Sequence, residues 1–176
     1  VTVLAPRQVS PALPAMMRAF GVETRFEGRT AHLTKLPGAA VQPLFEWDFL
    51  PCPDIAQTLA VVCGAMGVHG LFTGLETLRI KETDRIAALQ NELGKVQVTL
   101  MKLPERFSKK KEKEYFMLEG KVVVEGSPIF QTYEDRRMAM AFALIGLRVP
   151  GILIENPGCV AKTFPDYFKV LEGLRP

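Results

Sequence analysis

Two stretches of this chain are apolar on nearly every helical face. In residues 55–66, Leu59, Val62, Cys63 and Met66 recur at helical spacing, while Ala56, Ala60, Val61 and Ala65 fill most of the remaining faces. In residues 132–147 the run through Met138, Met140, Ala141, Phe142, Leu144 and Ile145 does the same. A helix without a polar face must be covered all round. These two therefore belong inside a layered structure, not on its surface. A third helix is expected over 82–96, with Ile86, Leu89 and Leu93 on one face.

Short strand-like segments alternate with these helices. Residues 22–27 and 30–35 alternate in polarity and are split by Gly28-Arg29, which reads as a hairpin. Before them, Ser10 is the expected N-cap of a helix running to Phe20. Strands are expected at 44–50, 68–73, 97–103, 115–119, 121–125, 129–131 and 151–155. A last helix opens at Thr163-Phe164-Pro165-Asp166 and ends at Gly173, and Thr132-x-x-Asp135 has the form of a capping box. The order reads α-β-β, then β-α-β-α-β-β, then β-α-β-α. The middle block, about 44–119, has the form of a whole βαβαββ unit, with a partial unit on either side. Alternating helices and strands favour an α/β layer fold with a mixed sheet.

The chain has 176 residues, enough for a single domain with a real core. Its 48% hydrophobic and 23% charged content excludes a disordered or collagen-like chain. A net charge of +3 is too small to argue for nucleic acid or an anionic membrane. Three cysteines without a CxxC pair suggest a reduced, cytoplasmic protein. There is no signal-peptide pattern, and the longest apolar run, 138–147, is about half of what spans a bilayer. The first residue is Val1, not Met, which fits a piece of something longer.

Four polar clusters fall where helices are expected to begin: Asp54, Lys81-Glu82-Thr83-Asp84-Arg85, Asp135-Arg136-Arg137 and Lys162-Thr163. Helix N-termini carry unpaired N–H groups and partial positive charge, which suits the carboxylates and opposes Lys and Arg. A bound anion would reconcile the cations with these positions. Ion pairing within each cluster is the competing account: Glu82 with Arg85, and Glu134 or Asp135 with Arg136 and Arg137. Asp54 and Glu82 are the carboxylates not obviously paired with a nearer cation; flanked by Lys81 and Arg85, a carboxylate would need burial or a bound anion to act as a general acid. Two histidines, His32 and His69, do not suggest a metal site. Cys159 reads as a small buried hydrophobe before a reactive thiol, and the lysine run 109–114 as a solvated loop.

The same clusters resemble the 5-enolpyruvylshikimate-3-phosphate synthase family, the 3-phosphoshikimate 1-carboxyvinyltransferases. The strings that carry the likeness are Arg79-Ile80-Lys81-Glu82-Thr83-Asp84-Arg85, Tyr133-Glu134-Asp135-Arg136-Arg137-Met138-Ala139-Met140, and Ala161-Lys162-Thr163-Phe164-Pro165-Asp166-Tyr167-Phe168, with Pro53-Asp54 as a fourth position. The resemblance implies an enolpyruvyl-transferase-like domain of repeated βαβαββ units, one of two domains flanking a substrate cleft. It implies transfer of the enolpyruvyl group of phosphoenolpyruvate to the 5-hydroxyl of shikimate 3-phosphate, without metal or organic cofactor. This chain would then be the C-terminal portion, inactive alone because the N-terminal half of the enzyme is missing.

Position by position, Asp54 resembles the group that handles the proton of the attacking hydroxyl, and Glu82 the acid that protonates the methylene carbon. Lys81 resembles a contact to the shikimate phosphate. Arg85, Arg137 and Lys162 resemble the cations that hold phosphoenolpyruvate. One position departs from the family pattern: Asp-His-Arg is usual where this chain has Asp135-Arg136-Arg137. An arginine stays charged and carries no proton near neutral pH. That substitution keeps a second reading open, a non-catalytic anion-binding module of the same fold. Nucleic-acid binding through Lys109–Lys113 is a third, disfavoured by the charge balance.

Overall fold

The computed structural model describes residues 2–4 and 11–174. It divides into two compact units, Val1–Phe45 and Glu46–Pro176. In the first, strand β1 (Thr2–Leu4) precedes helix α1 (Ala12–Arg18), and strands β2 (Val22–Glu27) and β3 (Thr30–Lys35) follow. Both β1 and β2 pair antiparallel with β3, giving the order β1-β3-β2. The hairpin forms where the alternation placed it. Gly28, at φ +58, supplies the positive φ that the two-residue loop needs. Ser10 lies outside the described residues; Pro11 precedes α1 without a side-chain cap.

The second unit follows the order strand–helix–strand–helix–strand–strand. These elements are β4 (Leu44–Asp48), α2 (Ala56–Met66), β5 (His69–Thr73), α3 (Arg85–Gly94), β6 (Val98–Lys102) and β7 (Tyr115–Gly120). The strands form one sheet in the order β4-β5-β7-β6, with β7 antiparallel to both neighbours. Helix α2 packs against β5, β7, α3 and a fourth helix, α4 (Arg136–Ala143). Its Ala56, Leu59, Ala60, Val61 and Cys63 are all buried, as an all-round apolar helix requires. A short parallel pair, β8 (Ile129–Phe130) and β9 (Leu153–Ile154), and helix α5 (Tyr167–Glu172) complete the unit. Aromatic contacts tie the layers: Phe49 meets Phe72 edge-on at 5.2 Å, and Phe130 stacks on Phe142 at 4.8 Å.

Several boundaries differ from the sequence expectation, each for a local reason. Helix α3 starts at Arg85, not Glu82, because the Asp84 carboxylate accepts from the N–H groups of Ile86 and Ala87 (3.0 and 3.1 Å). Helix α4 starts at Arg136, not Thr132. Tyr133 and Glu134 sit at φ +55 and +56, outside the helical region, and Asp135 is the cap, accepting from the Arg137 N–H at 2.8 Å. The capping box at Thr132 is therefore not formed. Residues 121–125 are not a strand: the Val122 and Val123 N–H groups donate to the carbonyls of Gly64 and Val96.

Gly74 is required where the chain leaves β5. It sits at φ +73, and a Cβ there would lie 2.3 Å from the Leu50 nitrogen and 2.5 Å from Asp48 Oδ1. Gly74→Ala is expected to cost at least about 1 kcal/mol in stability. Chemical denaturation followed by circular dichroism would measure it; an unchanged midpoint would show that the loop shifts without cost.

Candidate active site

Three helix starts meet at one buried cation. Arg85, the first residue of α3, is 1% exposed and is among the largest fully buried side chains. Its guanidinium spends each nitrogen on a different carboxylate. Nε donates to Asp135 Oδ2 at 2.6 Å, Nη1 to Asp54 Oδ1 at 2.8 Å, and Nη2 to Glu82 Oε2 at 2.7 Å. Asp54 comes from the 3-10 turn Pro53–Ile55 that leads into α2, Glu82 from the lead-in to α3, and Asp135 from the cap of α4. Burial by itself pulls the guanidinium's pKa down. The Asp135 hydrogen bond and charge, then Glu82 and Asp54, outweigh that, and the net direction is up.

The same carboxylates collect further cations. Arg137 Nη2 lies 3.1 Å from Asp54 Oδ2, and Lys81 Nζ lies 3.7 Å from Asp54 Oδ1. Arg136 Nη1 lies 3.3 Å from Glu82 Oε1. In the amide orientation that satisfies both its ends, Gln57 donates to the Asp54 carbonyl at 3.1 Å and accepts from Arg85 Nε at 3.2 Å. The cluster thus sets four cations against three carboxylates. Its inner members are buried and its outer ones half-exposed, so the excess positive charge faces outward. An anion with more than one charged oxygen could compete for Arg136, Arg137 and Lys81 without dismantling the Arg85–Asp135 pair.

The structure joins Asp54, Lys81, Glu82, Arg85 and Arg137, and leaves Lys162 apart. Lys162 closes the 3-10 segment Pro157–Lys162; it does not open a helix, and its side chain is exposed. The segment packs on α4, and among the described residues Lys162 makes no ion pair. Lys81 and Glu82 also precede their helix, so the helix-start argument applies to Asp54 and Asp135 and not to them. Asp54 and Glu82 are not free carboxylates: each is ion-paired.

Two participants escaped the sequence reading. Asp135 serves Arg85 across fifty residues, not its neighbouring arginines. Gln57 is fully buried, and its signal was an amide, beside Thr58, at the start of an otherwise apolar helix. The lysine run is only partly a free loop: Lys109 pairs with Glu46 and Lys113 with Asp48 on β4. Burial raises the thiols of Cys52, Cys159 and, to about 12, Cys63, so none of the three is a ready thiolate. Among the described residues, no group of His, Cys, Asp and Glu side chains could hold a metal ion, and no helix is long and apolar enough to cross a membrane.

Comparison with known proteins gives this geometry a family. A family profile described as EPSP synthase (3-phosphoshikimate 1-carboxyvinyltransferase) matches residues 5–171, and the chain belongs to that family. A 3-phosphoshikimate 1-carboxyvinyltransferase of Bacteroides fragilis is 40% identical over 152 residues, which is 86% of this chain and 35% of that protein. One from Nostoc punctiforme is 42% identical over 125 residues, 69% of this chain and 26% of the relative. The chain therefore spans about a third of the length of the curated relatives it matches. A solved EPSP synthase from Acinetobacter baumannii shares the fold, with a TM-score of 0.52 at 16% identity over 98% of this chain and 56% of that one.

Removing the central cation would strand buried charge. Arg85→Met is expected to destabilise the fold by about 3–5 kcal/mol, because Asp135 stays buried without its partner. Lys81→Ala, which loses one long and half-exposed pair, should cost less than about 1 kcal/mol. Urea unfolding of both variants tests the ranking, and equal losses would refute it.

Acid should weaken the fold through three carboxyls. Lys113 holds Asp48, and Lys102 holds Glu114, below their ordinary values of 3.8 and 4.5. Glu82 is lowered from 4.5 first by its own backbone N–H and then by Arg85 and Arg136, which together outweigh burial. Each folded value lies below the unfolded one. Their stabilisation is therefore complete above about pH 4.5 and is lost as pH falls through the depressed values. Lys113→Ala should flatten this acid limb in unfolding measured from pH 6 to 2.

Proposed function

We propose that this chain is the C-terminal portion of a cytoplasmic 3-phosphoshikimate 1-carboxyvinyltransferase, belonging to one domain of a two-domain enzyme built from repeated βαβαββ units. It would transfer the enolpyruvyl group of phosphoenolpyruvate to the 5-hydroxyl of shikimate 3-phosphate and release phosphate. The observation that carries this reading is the meeting of Asp54, Glu82, Lys81 and Arg137 around buried Arg85, on a chain of this family.

In the proposed reaction, phosphoenolpyruvate binds through its carboxylate and phosphate to Arg137 and Lys162, with buried Arg85 adding its charge from behind Asp54 and Glu82, while Lys81 meets the phosphate of shikimate 3-phosphate. The bound anions take up cationic charge that now acts on Glu82, which raises its proton affinity. Protonated Glu82 gives its proton to the methylene carbon, and positive character builds at the central carbon. The 5-hydroxyl oxygen attacks that carbon, and its proton passes to Asp54. Glu82 then takes back a methyl proton, phosphate leaves the tetrahedral adduct with the proton held by Asp54, and the double bond is restored. The cations orient the substrates and stabilise departing phosphate. No step calls on a metal or an organic cofactor.

The chain alone would be inactive, since the rest of the cleft belongs to the missing N-terminal half. Phosphate release from the two substrates, with this chain mixed with the N-terminal half of the Bacteroides fragilis relative, tests this. Turnover is expected only with both halves, and Glu82→Gln should lower it by roughly 10²–10⁴-fold. Arg136, standing where the family pattern has a histidine, favours one alternative, a non-catalytic anion-binding module. Association of the halves and phosphoenolpyruvate binding without turnover would establish that alternative.

A further inference from the structure

The Glu82 carboxylate is held at both oxygens by different helices. Arg85, at the start of α3, holds Oε2 at 2.7 Å, and Arg136, at the start of α4, reaches Oε1 at 3.3 Å. Arg85 is committed, since its other nitrogens serve Asp54 and Asp135. Arg136 has no other ion pair among the described residues, and its side chain is 22% exposed, so it can be drawn away. Two hydrogen bonds from two directions fix the plane of the carboxyl, which one bond would leave free to rotate.

We propose that Arg136 is a positioning residue for Glu82: it clamps the outer oxygen of this carboxyl, keeps it charged while the site lacks an anion, and lets it accept a proton when an anion takes the guanidinium. The device goes one step beyond the transferase reading and gives Arg136 a task in it. A guanidinium suits the task because its charge does not change near neutral pH. The clamp opens by displacement and not by losing its own proton.

The other charged groups near Glu82 leave this role to Arg136. On its own segment, Lys81 faces Asp54, Asp84 caps α3, and Arg85 is spent on three carboxylates. From α4, Arg137 turns to Asp54, and Asp135 is taken up by Arg85. From the turn before α2, Asp54 shares Arg85 with Glu82. The preceding 3-10 turn, Glu76–Ile80, carries Arg79, which pairs with Glu114, and Glu76, which accepts from the Glu114 N–H. Helix α2 has no charged side chain, only Gln57. Arg136 is therefore the one contact whose removal changes the charge on Glu82 without unpairing Asp54 or Asp135.

The test is a carbon-detected titration of the side-chain carboxyls of the full chain labelled at glutamate, with Glu82→Gln identifying the resonance. Arg136→Gln should move the Glu82 midpoint to higher pH, and Arg136→Lys should bring it part of the way back. Raising salt should lift the midpoint in the parent chain and do so less in Arg136→Gln; this arm also decides the matter if the glutamine variant folds poorly. Inorganic phosphate should raise the midpoint in the parent more than in the variant. A midpoint unmoved by Arg136→Gln and by salt would overturn the clamp. With both halves mixed, the acid limb of the pH–rate profile should follow the same order. If the mixture shows no turnover, the transferase reading fails, and the titration still decides the clamp.

Discussion

A buried guanidinium with three carboxylates is the interaction on which the second unit is organised. Taking an arginine out of water costs several kcal/mol, and only close, well-aligned partners offset it. Arg85 has them because three chain segments, the farthest fifty residues from it in sequence, deliver Asp54, Glu82 and Asp135 to its three nitrogens. The cost of leaving any of these charges alone fixes how the starts of α2, α3 and α4 sit together. Apolar packing could not specify that as sharply: Ala- and Met-rich faces slide with little penalty, whereas a charge pair in low dielectric does not.

The site follows from this arrangement. Arg85 takes one oxygen of each carboxylate; Arg136 and Arg137 face the other oxygens of Glu82 and Asp54, and Lys81 shares the Asp54 oxygen with Arg85. The buried layer supplies rigidity, and the half-exposed layer supplies exchangeable cations. Chemistry that needs an acid, a base and anion-holding groups within one cluster is served by such a division. Glu82 is held below the ordinary carboxylate value by its own backbone N–H and by Arg85 and Arg136, so in the proposed reaction an anion that draws a guanidinium away would also raise its proton affinity.

The backbone supports the same end. Tyr133 and Glu134 adopt left-handed conformations just before α4, which non-glycine residues do at a cost. They are tied down from outside: the Tyr133 hydroxyl donates to buried Glu92, and Asn156, itself left-handed, donates to Glu134. The turn so held delivers Asp135 both as cap of α4 and as the partner of Arg85.

The sequence by itself determined the order of helices and strands from β4 to β7, the burial of α2 and the polar clusters that matter, because periodicity, glycine punctuation and motif spacing are local properties. Through the motifs of residues 79–85 and 133–140 it also determined the family. It did not place the start of α3 or α4, since a capping aspartate within two or three residues of another candidate looks the same in one dimension. Nor did it show who pairs with whom. Read locally, Asp135 belonged to its neighbouring arginines and Glu82 looked free. The tertiary structure decided instead that Asp135 serves Arg85, that Arg136 reaches Glu82, and that Lys162 stands outside the cluster. The physical reason is desolvation: which charges become partners depends on which lose water together, and only packing decides that.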